Sequence, residues 1–555
     1  MPRNLIKIIQ YPIILVFISI ILFFGLDWGL PSEDRVKHLF ESETVHKNYV
    51  PKLTKIYTNE KIKTENKIYI ENYVEYSKNQ NYETAINLGL ARYLIVPYAG
   101  DDAFILKAIK NLDPEKLDFD PNFYVYGGGF IYSSAVILKI SEVFNLIELK
   151  NGVSYYLNNP EQIGKIYYVL RVLVAIFAIL GLIFLFYFIE KFHGLKYAYL
   201  TLVIMVFNPE TLISSRVVEP HIFVLPFFLI AVYFSIKLFE LPKNNHLLVF
   251  YGLFSGLSIG TQATSFYVIF PFFLIQYLYF KKYYKFKIVC KNFIIFFGCL
   301  TLTFFILNPY TILNFNSFIN NILNSINNVS SLKSNNVNFF ENFYAPYQIS
   351  FFYVVLFVVS IFYNIFYIKN KVKKIYLSLL IPAIFIYFLL SGIMQYIYPS
   401  LSIFALMSSF MIFDFLKKIN KYQKIIFTSL LILFFVTSPL TRSFYYLINF
   451  KKDSKMESAK WINENIEKNS TIGLAFPPTN WNSVPFQFYN FKLVDYKTNS
   501  DKDFIIIMNG DVTSSLRGYI KIKSFHPKSI LGYHPLLKGE VEAILAKKID
   551  IYKKK

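Results

Sequence analysis

Apolar residues in this chain come in blocks of roughly 17–25 residues, the length at which an α-helix crosses a hydrocarbon core of ~30 Å. Backbone polar groups inside lipid must be satisfied within the segment, so such blocks fold as helices. They fall at roughly 5–26, 166–189, 197–214, 222–240, 247–263, 265–281, 291–309, 350–368, 375–392, 396–415 and 424–441, eleven in all. Of the 555 residues 54% are hydrophobic and 17% charged, a balance that soluble proteins of this length do not show. The sequence predicts a polytopic α-helical membrane protein with about eleven transmembrane helices.

The net charge of +21 does not signal nucleic acid. Much of it sits in the short loops EKFHGLK (190–196), KKYYKFK (281–287), KNKVKK (369–374) and KKINKYQK (417–424), and Lys and Arg in such loops mark the cytoplasmic side. The basic N-terminus, with Arg3 and Lys7, enters a first block without a small-x-small cleavage site, which reads as an uncleaved span. Eleven spans with the N-terminus inside place all these loops on the cytoplasmic face. A crossing by the ambiguous block 128–149 would flip every later loop outward. Its pattern also argues against a crossing. Ser134, Ser141, Glu142, Asn145 and Glu148 share one helical face, and Val136, Ile137, Ile140, Phe144 and Ile147 cover much of the other, as in a helix lying along the interface.

Four regions follow: a first transmembrane helix (1–26), an external loop with interfacial helices (27–165), a transmembrane bundle (166–441) and an external tail (442–555). The tail opens with a helix-like run, ESAKWINENIEKNS, followed by strand-like TIGLAF and DFIIIMNG, which predicts a small α/β domain. The Asn/Ser-rich segment 311–345 reads as a further external loop. Cys290 and Cys299 read as free thiols. No internal repeat of the kind that marks many transporters is visible.

Within the first external region, PYAGDDAFILK sets Asp101 and Asp102 after a Pro/Gly turn and ahead of an apolar run. Two readings are open from the residues alone. The pair is either a set of solvated acids favouring a helix N-terminus, or a general base held at the membrane surface near a lipid-anchored substrate.

The run ARYLIVPYAGDDAFILKAIKNLDPEKLDFDPNFYVYGGGFIYSSA resembles the first external loop of the type-C glycosyltransferases, a superfamily that includes protein O-mannosyltransferases and lipid A aminoarabinose transferases. The acidic pair, Asp120-Pro121-Asn122-Phe123, Tyr126-Gly127-Gly128 and the helix from 129 to 149 follow in the superfamily's order. YYVLRVLVAIFAILG, with Arg171, is similar to its second span, and NPETLISSRVVEPHIFVLPFFLIAVYF resembles its second external loop. AKWINENIEKNSTIG looks like the start of the external domain of many bacterial and archaeal members.

The resemblance implies a membrane glycosyltransferase, of hexosyl or pentosyl type, that moves a sugar with inversion from a polyprenyl-phosphate donor to a protein, lipid or glycan acceptor. The reaction would run on the outer face of the cell membrane. Asp101 would be the base and Asp102 its orienting neighbour. No cofactor is implied; some relatives use a divalent cation and others do not. Donor- or acceptor-binding positions implied by the resemblance are Tyr126, Glu219, His221, Gln262, Gln395 and Tyr396. Three of these depart from the family pattern. Pro220-His221, with Glu219 just before, stands where Pro-Asp is usual, and Gln262 and Gln395 stand where many members carry Lys and Arg. A donor phosphate calls for charge-assisted hydrogen bonds, so Arg92, Arg171 and Arg216 are the candidate cations. The alternatives are a transporter of lipid-linked saccharides and a catalytically inactive structural relative.

Overall fold

A computed structural model describes residues 3–64, 82–99, 102–331, 351–366, 371–389, 394–451, 454–475, 478, 483–497, 501–508, 516, 518–529 and 548–555. Two compact units emerge: Met1–Leu26, Ile105–Val136 and Arg171–Phe444 form one, and Asp27–Phe104, Ile137–Leu170 and Tyr445–Lys555 the other.

The first unit is helical. A helix lies at each of the predicted apolar blocks, from Arg3–Phe23 to Lys421–Phe435. Among the described residues, Pro160–His193, Pro220–Glu240, Ala263–Tyr283, Phe286–Leu307 and Tyr398–Lys418 are long and apolar enough to cross a membrane, and Ile9–Phe23, Leu195–Val206 and Val355–Phe366 are shorter apolar helices. The protein is a multi-pass membrane protein. Their burial fits lipid as the solvent. Ile294, Leu302 and Ile306 on Phe286–Leu307 are exposed, whereas every residue from Tyr398 to Phe410 is buried. That inner helix carries Ser400, Ser402, Ser408 and Ser409, whose hydroxyls return to carbonyls of their own helix. Small residues let neighbouring helices approach closely.

Three segments differ from the sequence expectation. The block 197–214 is not one helix. It stops at Val206, and Asn208 accepts from the Glu210 N–H at 3.0 Å to cap a new helix, Pro209–Ser214. The Asn208-Pro209 pair supplies a capping side chain and a first-position proline together. The segment 311–345 is helical at Tyr310–Leu313 and Phe315–Ser331, with 332–350 outside the described residues. Phe315, Phe318, Ile319, Ile322, Leu323 and Ile326 recur at helical spacing, and that period overrides the Asn/Ser-rich composition. The helix predicted over 129–149 is Gly128–Val143, and Asn145 turns away at φ +56°. On it Ser134 and Ser141 are buried while Val136, Ile140, Val143 and Phe144 are exposed. An apolar outer face is the arrangement of a helix solvated by lipid.

The second unit joins parts of the first external region to the tail. Helix Ser454–Asn465 precedes five strands: β1 (Thr471–Leu474), β2 (Lys492–Asp495), β3 (Phe504–Met508), β4 (Tyr519–Phe525) and β5 (Ile549–Lys554). Their order is β2-β1-β3-β5-β4. β1 runs parallel to β2 and β3, while β5 runs antiparallel to β3 and β4. Phe504–Ile507 are buried in succession, as in a central strand covered on both faces. Helices Glu33–Leu39, Glu43–Thr64 and Tyr82–Ile95 belong to the same unit. Phe40 stacks on Tyr489 at 6.0 Å, the Tyr489 hydroxyl accepts from the Glu41 N–H at 2.8 Å, and Asn463 donates to His38 O at 2.9 Å. The region 27–165 is thus divided: residues 105–136 cluster with the helical unit and the remainder with the tail.

Candidate functional site

In the helical unit, three helix ends supply a buried polar cluster. Pro220 starts the turn Pro220–Phe223 and sets His221 just after Glu219. Helix Asn245–Thr261 ends at Gln262, whose backbone turns extended while its N–H still reaches Ser258 O at 2.9 Å. The 3-10 turn Met394–Ile397 presents Tyr396. His221 Nε2 lies 3.4 Å from Glu219 Oε2, and Gln262 Nε2 lies 3.0 Å from His221 Nδ1. The amide of Gln262 also reaches Thr264 Oγ1 at 2.8 Å and Tyr396 O at 3.2 Å, and Thr264 donates to Tyr396 O at 2.7 Å. An amide donor on Nδ1 leaves the imidazole proton on Nε2, facing the carboxylate. The rings of Tyr126 and Tyr396 lie 6.4 and 5.4 Å from that of His221. Glu219, His221 and Gln262 are all buried. Gln262 Oε1 is buried with no hydrogen-bond partner among the described residues. An acceptor left this way suits the O–H or N–H of a ligand.

Tyr126 is held in this cluster by the glycines that follow it. The Gly127 N–H donates to Thr261 O at 3.2 Å and the Gly128 N–H to Asn308 Oδ1 at 2.7 Å, while Asn308 Nδ2 reaches Gly260 O at 3.1 Å. A Cβ at Gly127 would lie 2.2 Å from Gly260 O, and one at Gly128 would lie 1.8 Å from Leu307 O. Backbone thus packs on backbone, which only glycine permits. Beside this junction opens a cleft walled by Tyr124, Tyr126, Tyr132, Phe304, Tyr310 and Phe318. Asp120 is fixed nearby by the Tyr124 hydroxyl at 2.8 Å and Asn314 Nδ2 at 2.8 Å.

The structure therefore brings Tyr126, Glu219, His221, Gln262 and Tyr396 together. Gln395 lies in the same 3-10 turn, and its side chain is outside the described residues. Arg171 and Arg216 are placed elsewhere, at the C-terminal end of helix Arg3–Phe23. Arg171 donates to Leu26 O at 3.0 Å. Arg216 donates to Phe24 O from Nε at 3.0 Å and Nη2 at 2.8 Å, to Ile21 O at 2.6 Å, to Ser215 Oγ at 3.0 Å and to Leu212 O. Its five N–H groups are all engaged within the protein, which differs from the donor-phosphate contact expected of it. Arg92 is half-buried on helix Tyr82–Ile95 in the second unit. In that unit also, Asp102 is fully buried at the start of helix Asp102–Lys110, and its N–H returns to Ala99 O at 3.2 Å. Asp101 lies outside the described residues. No three His, Cys, Asp or Glu side chains converge as a metal site among the described residues. Thr264, Asn308 and the backbone packing of Gly127–Gly129 escaped the sequence reading, which named Tyr126-Gly127-Gly128 only as a motif. The three consecutive glycines, placed directly after a motif tyrosine, were the signal.

The family model described as dolichyl-phosphate-mannose-protein mannosyltransferase matches residues 162–312. Over those residues the chain is similar to that family. The matched segment contains Glu219, His221 and Gln262, and it excludes the acidic pair and Tyr396. Among solved structures, ArnT from Cupriavidus metallidurans bound to undecaprenyl phosphate is similar over 84% of this chain and 95% of its own, at 10% identity and a TM-score of 0.39. The apo state of that ArnT is similar over 65% of this chain and 66% of its own, at 11% identity and a TM-score of 0.37. The oligosaccharyltransferase AglB from Archaeoglobus fulgidus, in complex with an inhibitory peptide and a dolichol-phosphate, is similar over 70% of this chain and 60% of its own, at 11% identity and a TM-score of 0.39. Scores of this size give no residue correspondence. No curated protein matches the chain in sequence.

Proposed function

We propose that the protein is a membrane glycosyltransferase that takes a sugar from a polyprenyl-phosphate carrier. The observation that carries this reading is the match of residues 162–312 to the dolichyl-phosphate-mannose-protein mannosyltransferase family. The order of short motifs from the acidic pair to the tail supports it. In the proposed step, Asp101 accepts the proton of an acceptor hydroxyl while that oxygen attacks the anomeric carbon. The new C–O bond forms as the bond from the anomeric carbon to the carrier phosphate breaks. Polyprenyl phosphate leaves with the electron pair, and the anomeric configuration inverts. Asp102 orients the base. The step asks for no nucleotide sugar or organic cofactor.

The Glu219–His221–Gln262 cluster is the proposed sugar- or acceptor-binding floor. A buried acceptor at Gln262 Oε1 fits a sugar hydroxyl, and the aromatic walls of the neighbouring cleft fit the apolar face of a sugar ring. The positive-inside pattern supports an N-terminus in the cytoplasm, with the acidic turn and the tail on the outer face of the cell membrane. The test is incubation of purified protein with labelled polyprenyl-phosphate sugars and candidate protein, lipid and glycan acceptors. Release of polyprenyl phosphate with transfer of label is expected. Intact donor that crosses proteoliposomes without being cleaved would favour the transporter instead.

A further inference from the structure

Helix Pro160–His193 carries an apolar stripe on its outer surface. Ile176, Leu180 and Tyr187 are exposed on it, and exposed Lys191 follows on the same face. At 3.6 residues per turn these four positions fall within an arc of about 60°. Their exposure suits a surface solvated by lipid, with the charged head at its end.

The stripe ends in a group of hydrogen-bond donors. Lys191 Nζ donates to the Tyr187 hydroxyl at 3.0 Å and, across to helix Leu225–Glu240, to the Tyr233 hydroxyl at 2.8 Å. It also lies 5.3 and 5.0 Å from the centroids of these two rings. Phe184 packs 6.0 Å from Tyr187 and 6.2 Å from Tyr233, which helps to set both rings. An ammonium has donors only, so each phenol oxygen is an acceptor toward it and each phenol keeps its own O–H proton to give. One positive charge and two hydroxyl donors therefore converge at one point. Charge-assisted donors in such a group are what a phosphate recognises.

The acids of these two helix ends are engaged with other groups. Glu190 accepts from the Tyr11 hydroxyl at 2.6 Å and from Gln10 Nε2 at 3.4 Å, and Glu240 pairs with Lys237 Nζ at 2.7 Å. Lys237 lies 5.1 Å from the ring of Phe192, which itself packs 5.6 Å from Tyr233, so a second cation borders the group. From His221 to Lys237 the helix rises about 24 Å, close to the ~30 Å of a hydrocarbon core. The Lys191 group thus lies toward the membrane face opposite the Glu219–His221–Gln262 cluster, where the positive-inside pattern puts the cytoplasm.

We propose that Lys191, Tyr187 and Tyr233 bind the phosphate of an anionic glycerophospholipid of that leaflet, with its acyl chains along Ile176 and Leu180. The apolar stripe runs directly into the donors, and this selects a phosphate that carries chains over a free phosphate ion. The site is separate from the glycosyl-transfer reading and stands without it.

The test uses the full-length protein, delipidated in detergent and supplied with dioleoyl phosphatidylglycerol or dioleoyl phosphatidylcholine, with bound lipid read by native mass spectrometry. Both lipids carry a phosphodiester, and only the first has a net charge. Retention of phosphatidylglycerol over phosphatidylcholine is expected. Lys191→Gln is expected to weaken it about tenfold, the scale of one hydrogen bond to a charged group, and the Tyr187→Phe, Tyr233→Phe pair to weaken it several-fold. Lys281→Gln, in another basic loop, is expected to leave it unchanged. The tyrosine pair decides if Lys191→Gln does not fold. Equal retention of the two lipids, or parent-like retention by folded Lys191→Gln, overturns the proposal. So does an equal loss in Lys281→Gln, which would mark a diffuse basic surface. Displacement of the lipid by millimolar inorganic phosphate would make this a free-phosphate site, and preferred retention of polyprenyl phosphate would make it a carrier site; either result overturns the assignment.

Discussion

Arg216 directs its five N–H groups to Ile21 O and Phe24 O at the end of helix Arg3–Phe23 and to Leu212 O and Ser215 Oγ at the end of helix Pro209–Ser214, the arrangement of a structural cation. The C-terminal carbonyls of a helix lack partners and carry partial negative charge. Burying them at Ile21 and Phe24 is tolerable because a forked guanidinium meets both. Each carbonyl stranded without a donor costs about 1–3 kcal/mol. Arg216→Met is therefore expected to lower the apparent melting temperature of the purified protein sharply, and Arg216→Lys to rescue it only in part, since an ammonium lacks the fork. A methionine variant that melts with the parent would contradict the role. His46 tests the second unit. Its Nε2–H donates to Leu157 O at 2.8 Å and its ring packs 4.9 Å from Phe40. Burial pushes its pKa below the usual imidazole value. Above about pH 6.5 both folded and unfolded forms hold it neutral; below that the unfolded chain binds a proton that the folded site resists, so stability falls with pH. Thermal melts between about pH 6.5 and 5 should drop for the parent and drop less for His46→Gln. At this scale the cluster was legible only in part. Glu219, His221, Gln262 and Tyr396 were named from the resemblance to the superfamily's motifs, and the structure brings their side chains together. The use of Arg216 was not legible, because it depends on carbonyls brought from a distant segment.

The junction at Gly127–Gly129 is where elements, rather than residues, are locked. Helix Gly128–Val143 begins against the ends of Asn245–Thr261 and Phe286–Leu307 at backbone contact distance. Overpacking a core typically costs about 1–3 kcal/mol, and here the obstacle is a carbonyl that no rotamer change can move. Gly128→Ala is expected to cost at least that much and to displace Tyr126 from His221. The checks are yield of folded protein and apparent melting temperature, and a variant that folds and melts normally would show that the junction can open. Period carried more information than composition among these elements. The helical spacing in Phe315–Ser331 was present in a segment whose Asn and Ser content suggested a loop. The two faces of Gly128–Val143 were legible as well. Which face turns inward was not, because polarity decides that only once the surrounding solvent, lipid or water, is known. The break at Asn208-Pro209 was marked by a capping residue and a proline inside an apolar run, a signal weaker than the hydropathy around it.

At the scale of the whole molecule, apolar block length fixed the class of fold, because lipid imposes the strictest rule on backbone hydrogen bonds. Helices stand at every block so identified, and the tail has the mixed sheet expected of an α/β domain. The division into units was hidden. Residues 105–136 and 137–170 are contiguous in sequence and belong to different units, and nothing in local composition records which surface each segment buries. The proposed chemistry depends on a pair of acids that lies outside the family-matched segment, and it has a direct test. That test is single-turnover release of polyprenyl phosphate from a labelled polyprenyl-phosphate sugar, comparing the parent protein with Asp101→Asn at equal folded concentration. Asparagine keeps the size of the side chain and removes its capacity to accept the proton. The account predicts release by the parent and a rate lower by about 10²–10⁴-fold in the variant, the usual loss for a general base. Release at the parent rate by folded Asp101→Asn would contradict it.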